Sequence, residues 1–285
     1  MNTIIAKERA KYHNKLLSLG VLSIDANGIP SNADRASKLS IRISRSIADR
    51  LAASTQTKIQ GQTAGAQFEQ LNMEFLSRTF PLLQNIRPGS WHIVKLGNRN
   101  SIKASSFSQY EHLDYLDELM NQNKKLASII GNDYMVAPDV VIYRDSLDDS
   151  EINQGKTFVD DSVSRMTDIR KKFSPLPILH ASISAKWTMR SDRAQNSRTE
   201  ALGLIRNRKG RLPHIVVVTG EPMPTRIASL AMGTGDIDCV YHFALYELID
   251  AVNATGEEAA IELLNTLVSG KRLKDISDLP LDLTI

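Results

Sequence analysis

The sequence predicts an α/β fold in which helices flank a core β-sheet. Short apolar runs typical of strands alternate along the chain with longer amphipathic patterns typical of helices. The run His214-Ile-Val-Val-Val-Thr219 has the pattern of a central strand that is covered on both faces. The chain has 285 residues, 42% of them hydrophobic, and neither an internal repeat nor a Pro-rich linker. We therefore expect a single domain over residues 1–285.

Apolar side chains at spacings of three and four predict the helices in order. The first covers residues 4–20, where Gly20 suits the left-handed turn after a helix, and the second covers residues 40–53. Thr63 is placed to cap a third helix on which Phe68 and Phe75 lie in an apolar stripe, with Glu69 one position off it. Further helices are predicted at residues 110–120, at 192–207, from the last strand through 251, and at 257–269.

Strands are predicted between these helices, at residues 91–96, 134–143, 178–187, 214–219 and 239–243. Pro138 interrupts the second strand, which indicates an edge or a bulge. In the third strand Ser184 and Lys186 share one face, because side chains alternate across a strand. Residues 145–175 are polar and irregular, and we expect a long excursion there.

Charge is concentrated in one part of the chain. Residues 186–211 hold eight Lys and Arg against two acids, a local net charge of +6 in a chain whose total is +3. The remainder is therefore net acidic, and the basic segment is a better indication of a polyanionic partner than the overall charge. A single cysteine excludes an internal disulfide. No window has the ~18 apolar residues of a membrane span, and the N-terminus lacks a signal-peptide pattern. We expect a soluble, cytoplasmic protein with no membrane partner.

The basic segment holds one half of a hydrolytic residue set. Lys186 and Ser184 project from the third strand, Glu200 lies on the next helix, and Asp139 follows Pro138 on the second strand. Hydrolysis of a phosphodiester needs a hard cation with oxygen ligands and an activated water, and two carboxylates suit magnesium. A compact lysine charge suits the attacking water and a phosphate oxygen. The alternative for each residue alone is an exposed strand end or a solvated helix position.

Arg190, Asp192 and Arg193 suit the recognition of C·G pairs. An arginine fork matches the O6 and N7 acceptors of guanine, and an aspartate accepts a hydrogen bond from the cytosine amino group. The alternative is that Asp192 caps a solvated helix flanked by arginines.

The Pro-Asp step, the Ser-x-Lys strand and the acidic helix together resemble the variant form of the PD-(D/E)xK nucleases. In that form the acid two residues before the lysine is replaced, here by Ser184, and the helix supplies a carboxylate, here Glu200.

The whole chain resembles the NgoMIV-type restriction endonucleases, which are related to a wider group that cleaves sites with a central CCGG. The resemblance implies a restriction-endonuclease-like α/β core with a central mixed β-sheet. It also implies magnesium-dependent cleavage of double-stranded DNA at GCCGGC after the first G, leaving a four-base 5′ overhang. The matching segments run from end to end: Ser31-Asn-Ala-Asp34, Gly61-Gln-Thr63 with Phe68-Glu69, Ile86-Arg-Pro-Gly89, Leu179 to Ser184, Lys186-Trp-Thr188, Arg190 to Asn196, Arg206 to Thr219, and Cys239 to Leu248.

The resemblance also implies roles for individual residues. The metal-site residues are Asp139, Glu200 and the backbone carbonyl of Ala185; the other active-site residues are Glu69, Ser184 and the catalytic Lys186. The readers of the inner CCGG are Arg190, Asp192 and Arg193; those of the outer G·C pairs are Arg226 and Asp34; Gln62 contacts the minor groove.

Structural alternatives exist for three of these residues. Arg226 can stabilise a helix start, Gln62 can cap the third helix, and Glu69 can be a solvated helix residue. The chain departs from the family two residues after Asp34, where Ala36 replaces a serine and Ser37 follows. This departure bears on outer-base contacts and leaves the inner CCGG assignment unchanged.

A palindromic site requires two identical subunits related by a two-fold axis, so a dimer is the minimum functional unit. The resemblance implies a homotetramer of two dimers, and a cell carrying such an enzyme needs a DNA methyltransferase acting on the same site. Two alternatives remain: a repair nuclease of the same fold that acts on DNA structure, and a non-catalytic DNA-binding regulator.

Overall fold

The computed structural model describes residues 3–55, 59–96, 103–130, 138–189, 191–233 and 235–285. The chain divides into two compact units, each assembled from separate stretches of sequence. The first contains Met1–Pro88, Ile183–Arg198 and Ile215–Ile285; the second contains Gly89–Ser182 and Thr199–His214. None of the helices in the described part of the chain combines the length and the apolarity needed to cross a bilayer.

Helices and strands alternate in the order that the sequence predicts for an α/β protein. The helices are α1 (Ile4–Ser18), α2 (Lys38–Arg50), α3 (Gly61–Ser77), α4 (His112–Gln122), α5 (Lys124–Ile130), α6 (Asp149–Ile152), α7 (Ser191–Asn207), α8 (Pro224–Ala231), α9 (Leu245–Asn253), α10 (Glu258–Ser269) and α11 (Leu279–Asp282). The strands are β1 (Trp91–Lys95), β2 (Val140–Arg144), β3 (Ile178–Lys186), β4 (His214–Thr219), β5 (Cys239–His242) and β6 (Leu273–Asp275).

The six strands form one mixed sheet in the order β1-β2-β3-β4-β5-β6. β1 and β2 are antiparallel, with Ile93 opposite Ile142. β4, β5 and β6 are parallel, with Thr219 opposite His242. Parallel neighbours need crossover connections, and helices supply them here: α8 follows β4, and α9 and α10 follow β5. This confirms the predicted mixed sheet with flanking helices.

β4 is the centre of the apolar core in the first unit. Ile215, Val216, Val217 and Val218 are at most 5% exposed, as expected for a strand covered on both faces. The bounds of β4 match the predicted residues 214–219.

Several predicted bounds were wrong. α3 begins at Gly61 and its N-cap is Gln60, so Thr63 lies inside the first turn and is not the cap. β2 begins at Val140, after Asp139; of the predicted strand 134–143, residues 134–137 lie outside the described residues. The helices α5, α6, α8 and α11 and the strand β6 were not predicted. β6 has three residues, too few to display a two-residue alternation.

The excursion over residues 145–175 contains one short helix, α6, and is otherwise irregular. It is organised around Arg170, which is fully buried. The Arg170 guanidinium donates to both carboxylate oxygens of Asp149 over 2.8 and 2.5 Å, and to the carbonyl of Val163 over 2.6 Å. A buried cation therefore connects separate parts of this polar segment.

An ion-pair network around the buried Asp275 attaches α1 to the sheet. Arg9 donates to both oxygens of Asp275, at 2.9 and 2.8 Å, and to both oxygens of Glu247, at 3.0 and 2.6 Å. The Asp275 side chain is fully buried and also accepts from the amide of Leu245 at 2.9 Å. Burial by itself raises the pKa of Asp275, but the hydrogen bonds and charge of Arg9 together with the hydrogen bonds from Ser277 outweigh burial and hold the pKa below its usual range.

We predict that Arg9→Met lowers the free energy of unfolding by about 3–5 kcal/mol at pH 7, because it leaves the Asp275 carboxylate buried without its cation. Urea denaturation of the two proteins measures the difference. The matched control is Arg45→Met, which removes an exposed pair with Asp49 and should cost less than about 0.5 kcal/mol.

The same pair of proteins has a predicted pH dependence. A carboxylate whose pKa is lowered by folding stabilises the protein above its unfolded pKa, near ~4, and loses that contribution as pH falls through the folded value. The stability difference between wild type and Arg9→Met should therefore shrink below about pH 4. A difference that stayed constant with pH would assign the cost to lost packing instead.

Candidate active site and base-recognition residues

The turn formed by Thr219, Gly220 and Glu221 fixes the end of β3. The Lys186 carbonyl accepts from Thr219 Oγ1 at 2.8 Å and from the Gly220 amide at 3.2 Å. Thr219 is fully buried. Lys186 is the last residue of β3 and is half-buried. The backbone of the lysine is thereby held at the point where the strand ends.

Gly220 is required by the close approach of Trp187. A Cβ atom at Gly220 would lie 2.6 Å from Trp187 Cζ3 and 2.8 Å from the Trp187 carbonyl oxygen. Contacts this short do not occur in folded proteins, so any side chain at this position would displace the residue that follows Lys186.

In the first unit the residue before Glu69 packs against the residue after Lys186. Phe68, next to Glu69 on α3, packs against Trp187, next to Lys186, with ring centroids 5.1 Å apart. Glu69 is half-buried, which does not fit a fully solvated helix residue. Trp187 also packs edge-on against Phe243 at 5.2 Å. The aromatic cluster therefore supports α3 and the end of β3 together.

Ser184 and Ala185 lie inside the packed part of β3. Ser184 is 8% exposed, and its Oγ lies 3.3 Å from Oγ of Ser197 on α7. Ala185 is 4% exposed. The hydroxyl contact ties β3 to the helix that carries Glu200, which lies three positions after Ser197, on the same side of α7.

Asp139 and Glu200 both belong to the second unit. Asp139 directly precedes β2, and its carbonyl accepts from the Leu96 amide at 2.9 Å, which extends the β1–β2 pairing by one residue. Glu200 lies near the middle of α7. Both side chains are half-buried.

The described residues contain no group of three or more His, Cys, Asp or Glu that could hold a metal ion. Magnesium does not need such a group, since it binds through one or two carboxylates and retains several waters. The donor chemistry of Asp139, Glu200 and the Ala185 carbonyl, all hard oxygens, fits that cation.

The inner-base candidates lie at the start of α7. Arg190 is outside the described residues, and for Asp192 and Arg193 the structure describes the backbone, in the first turn of α7. Because α7 begins at Ser191, Asp192 is not the N-cap of this helix. Not every cation of the basic segment is available to DNA: Arg198 donates to Asp236 at 3.3 Å and to the Ser229 carbonyl at 2.8 Å.

The structure brings the two outer-base candidates into direct contact. Arg226 Nη2 forms a short ion pair with Asp34 Oδ2, although 192 positions separate them in sequence. Arg226 lies in the first turn of α8, where a cation is unfavourable with the helix dipole, so stabilisation of a helix start does not explain it. Gln62 lies exposed in the first turn of α3, two residues past the N-cap, and does not cap that helix.

The loop that carries Asp34 is attached to the same turn. Asn32, 1% exposed, donates from Nδ2 to the Gly220 carbonyl at 2.7 Å, and accepts from Ser44 Oγ on α2. Asp34 Oδ1 accepts from the amide of Ala36 at 3.0 Å. Ala36 is the residue at which this chain departs from the family. Its main-chain amide therefore still donates a hydrogen bond to Asp34.

Glu221, whose carboxylate lies 3.8 Å from the outer-base candidate Arg226, was missed by the sequence analysis. It is fully buried, and its carboxylate accepts from the amides of Met189 at 2.9 Å and Met223 at 3.1 Å. Burial raises its pKa to about 6, although these two hydrogen bonds and Arg226 act in the opposite direction. An acid two residues after the end of the apolar strand β4 was the available signal, since polar groups at the carboxyl ends of such strands commonly line sites.

Comparisons with known proteins identify the family of the chain. The family model described as NgoMIV restriction enzyme matches residues 12–285. The type II restriction enzyme NgoMIV of Neisseria gonorrhoeae is 48% identical over 286 residues, covering 100% of both chains.

Two solved structures are more distant. The type IIF restriction endonuclease Bse634I with cognate DNA is 15% identical, with a TM-score of 0.36 over 96% of this chain and 92% of that one. The complex of the restriction endonuclease PspGI with substrate DNA is 12% identical, with a TM-score of 0.29 over 98% and 90%. Neither adds to the assignment at these TM-scores. The match over almost the whole chain and the identity over its full length decide it: the chain belongs to the NgoMIV restriction enzyme family and is a type II site-specific deoxyribonuclease.

Proposed function

We propose that this endonuclease cleaves double-stranded DNA in the presence of magnesium at GCCGGC, after the first G, leaving a four-base 5′ overhang. The observation that carries the proposal is the contact between Arg226 and Asp34 beside the segment that follows Lys186. An arginine fork and a carboxylate acceptor held side by side match the guanine and the cytosine of one G·C pair. Residues 1–285 act in this proposal as one endonuclease domain.

Asp139, Glu200 and the carbonyl of Ala185 are the proposed magnesium ligands. When bound, magnesium neutralises the charge that develops on the phosphate and lowers the pKa of a bound water. Lys186 holds a water and a phosphate oxygen with its ammonium group, which is a compact and strongly hydrated charge. Ser184 on β3 would face the metal when it is bound, and Glu69 would add an acid from α3. The packing of Phe68 on Trp187 supports this position for Glu69.

Arg190, Asp192 and Arg193 are the proposed readers of the inner CCGG, and Gln62 is a minor-groove contact. Base-edge contacts determine sequence preference, whereas phosphate contacts determine register. The net charge of +6 over residues 186–211 supplies the attraction to the DNA backbone.

A palindromic site cut on both strands requires at least a homodimer, and we propose a tetramer of two dimers. The enzyme acts in the cytoplasm together with a DNA methyltransferase that protects the same site in the host genome.

Digestion of plasmid DNA with magnesium, followed by sequencing of the ends, tests the proposed function. We expect uniform CCGG overhangs at GCCGGC sites and no cutting in EDTA. Ends with another uniform sequence would reject the site, and ragged ends would reject sequence-specific cleavage.

We predict that Lys186→Ala abolishes cleavage and leaves specific binding nearly intact, because different groups bind the bases and hydrolyse the phosphodiester. Cleavage rates and gel-shift affinities on one GCCGGC duplex measure the two effects. The control is Lys11→Ala, which removes an exposed lysine on α1 and should change neither. Normal cutting by Lys186→Ala would show that the catalytic assignment is wrong.

Arg193→Ala should weaken discrimination at one C·G pair by about 1–3 kcal/mol. Affinities for the cognate duplex and for duplexes changed at single positions measure this, with the exposed surface variant Arg42→Ala as the control. An equal loss of affinity for every duplex would instead identify Arg193 as a phosphate contact.

A further inference from the structure

Glu221 is a buried carboxylate to which the proposed reaction gives no role. Its Oε2 accepts from the Met189 amide at 2.9 Å, and its Oε1 accepts from the Met223 amide at 3.1 Å. Oε2 also lies 3.8 Å from Arg226 Nη1. A fully buried acid whose cation among the described residues lies as far away as 3.8 Å is costly for stability, so this position suggests a purpose other than packing.

The Glu221 carboxylate and Arg226 hold the same residue from two sides. The Met189 amide donates to Glu221, and the Met189 carbonyl accepts from Arg226 Nη1 at 3.4 Å. Met189 is 1% exposed and directly precedes Arg190. Met223 directly precedes α8, which carries Arg226. One side chain therefore contacts the backbone leading into the inner-base candidates and the backbone leading into the outer-base candidate.

The turn also connects Glu221 to the catalytic strand. The Glu221 amide donates to Thr219 Oγ1 at 3.1 Å, and Thr219 Oγ1 donates to the Lys186 carbonyl at 2.8 Å. The path from Arg226 to Lys186 thus consists of hydrogen bonds and one ion pair between buried or half-buried groups, all in the first unit.

We propose that Glu221 is a positioning residue that orients Arg226 for the outer G·C pair and couples that contact to the segment carrying Arg190, Asp192 and Arg193. This inference rests on the proposed function, which assigns Arg226 to the outer pair. Asp34 forms an ion pair with Nη2 of the same guanidinium. With both Asp34 and Glu221 in place, the planar guanidinium of Arg226 has one favoured orientation. Without Glu221, the guanidinium can pair with Asp34 through different N–H groups and in different orientations.

The Glu221 carboxyl changes its charge within the pH range in which the enzyme can be assayed. Its pKa is about 6, raised by burial. Among the described residues, the charged or titratable groups that face it are Arg226, Asp34 and His242 on β5, whose pKa burial lowers to about 4. His242 therefore stays neutral above pH 5, and protonation of Glu221 near pH 6 removes one of the two carboxylates that orient Arg226.

Glu221→Gln tests the proposal, with Asp238→Asn as the matched control. Asp238 accepts from the Ile215 amide at 2.8 Å at the opposite end of β4, so its variant changes a carboxylate-to-backbone bond of the same kind. Dissociation constants are measured in EDTA, and kcat and KM with magnesium, on duplexes containing GCCGGC, ACCGGT (outer pairs changed) and GCGCGC (inner pairs changed).

Glu221→Gln should reduce discrimination against ACCGGT by about tenfold, within the range that one base contact contributes, and leave discrimination against GCGCGC within about twofold. It should also lower kcat on GCCGGC more than it raises KM. Asp238→Asn should keep both ratios. Equal weakening on all three duplexes would identify a purely structural role and overturn the proposal, as would unchanged ratios. Wild-type enzyme that did not distinguish GCCGGC from ACCGGT would overturn the proposed function itself.

A measurement on wild type keeps the proposal testable if Glu221→Gln does not fold. Discrimination against ACCGGT should fall as pH is lowered from 7.5 to 5.5 through the pKa of Glu221 at about 6, while discrimination against GCGCGC changes less. A constant ratio over that range would show that the charge of Glu221 is not used.

Discussion

The attachment of the end of β3 to the turn after β4 is the constraint on which the rest of this site depends. The Lys186 carbonyl accepts two hydrogen bonds from Thr219 and Gly220, and Trp187 packs onto Gly220 at a distance that only glycine permits. The same turn accepts a hydrogen bond from Asn32 and places the carboxylate of Glu221. Lys186, the loop that carries the proposed outer-base reader Asp34 and the start of the segment that carries the proposed inner-base readers therefore share one support, and a shared support is how a site keeps its geometry.

Two buried carboxylates in the first unit differ in how their partners compensate the cost of burial. Asp275 is bound at both oxygens by Arg9, and its pKa is lowered. Glu221 is bound by two amides, with Arg226 at 3.8 Å, and its pKa is raised. The first arrangement compensates the cost of desolvation and stabilises the attachment of α1. The second leaves part of that cost uncompensated, as is common at functional sites.

Family membership also decides between the alternatives that sequence left open. A type II restriction enzyme is neither a non-catalytic regulator nor a repair nuclease that acts on DNA structure. The concentrated charge of residues 186–211 fits DNA binding, but its residues divide into different tasks. Arg198 attaches α7 to Asp236 and to the end of α8, so it is a structural cation within the basic segment.

The sequence by itself determined the α/β class, the position of β4 and the course of α7 to within one residue, because apolar periodicity reports burial directly. It also determined the family, through matching segments along the chain. It did not reveal β6, which is too short to show a period, nor the cap of α3, where Gln60 makes no side-chain hydrogen bond.

Only the tertiary structure decided that Asp34 meets Arg226 across 192 positions, and that Glu221 holds the amides of both Met189 and Met223. No local pattern encodes such contacts. They depend on which strand and helix ends the sheet brings together, and that is settled by packing over the whole unit rather than by the sequence around any one residue.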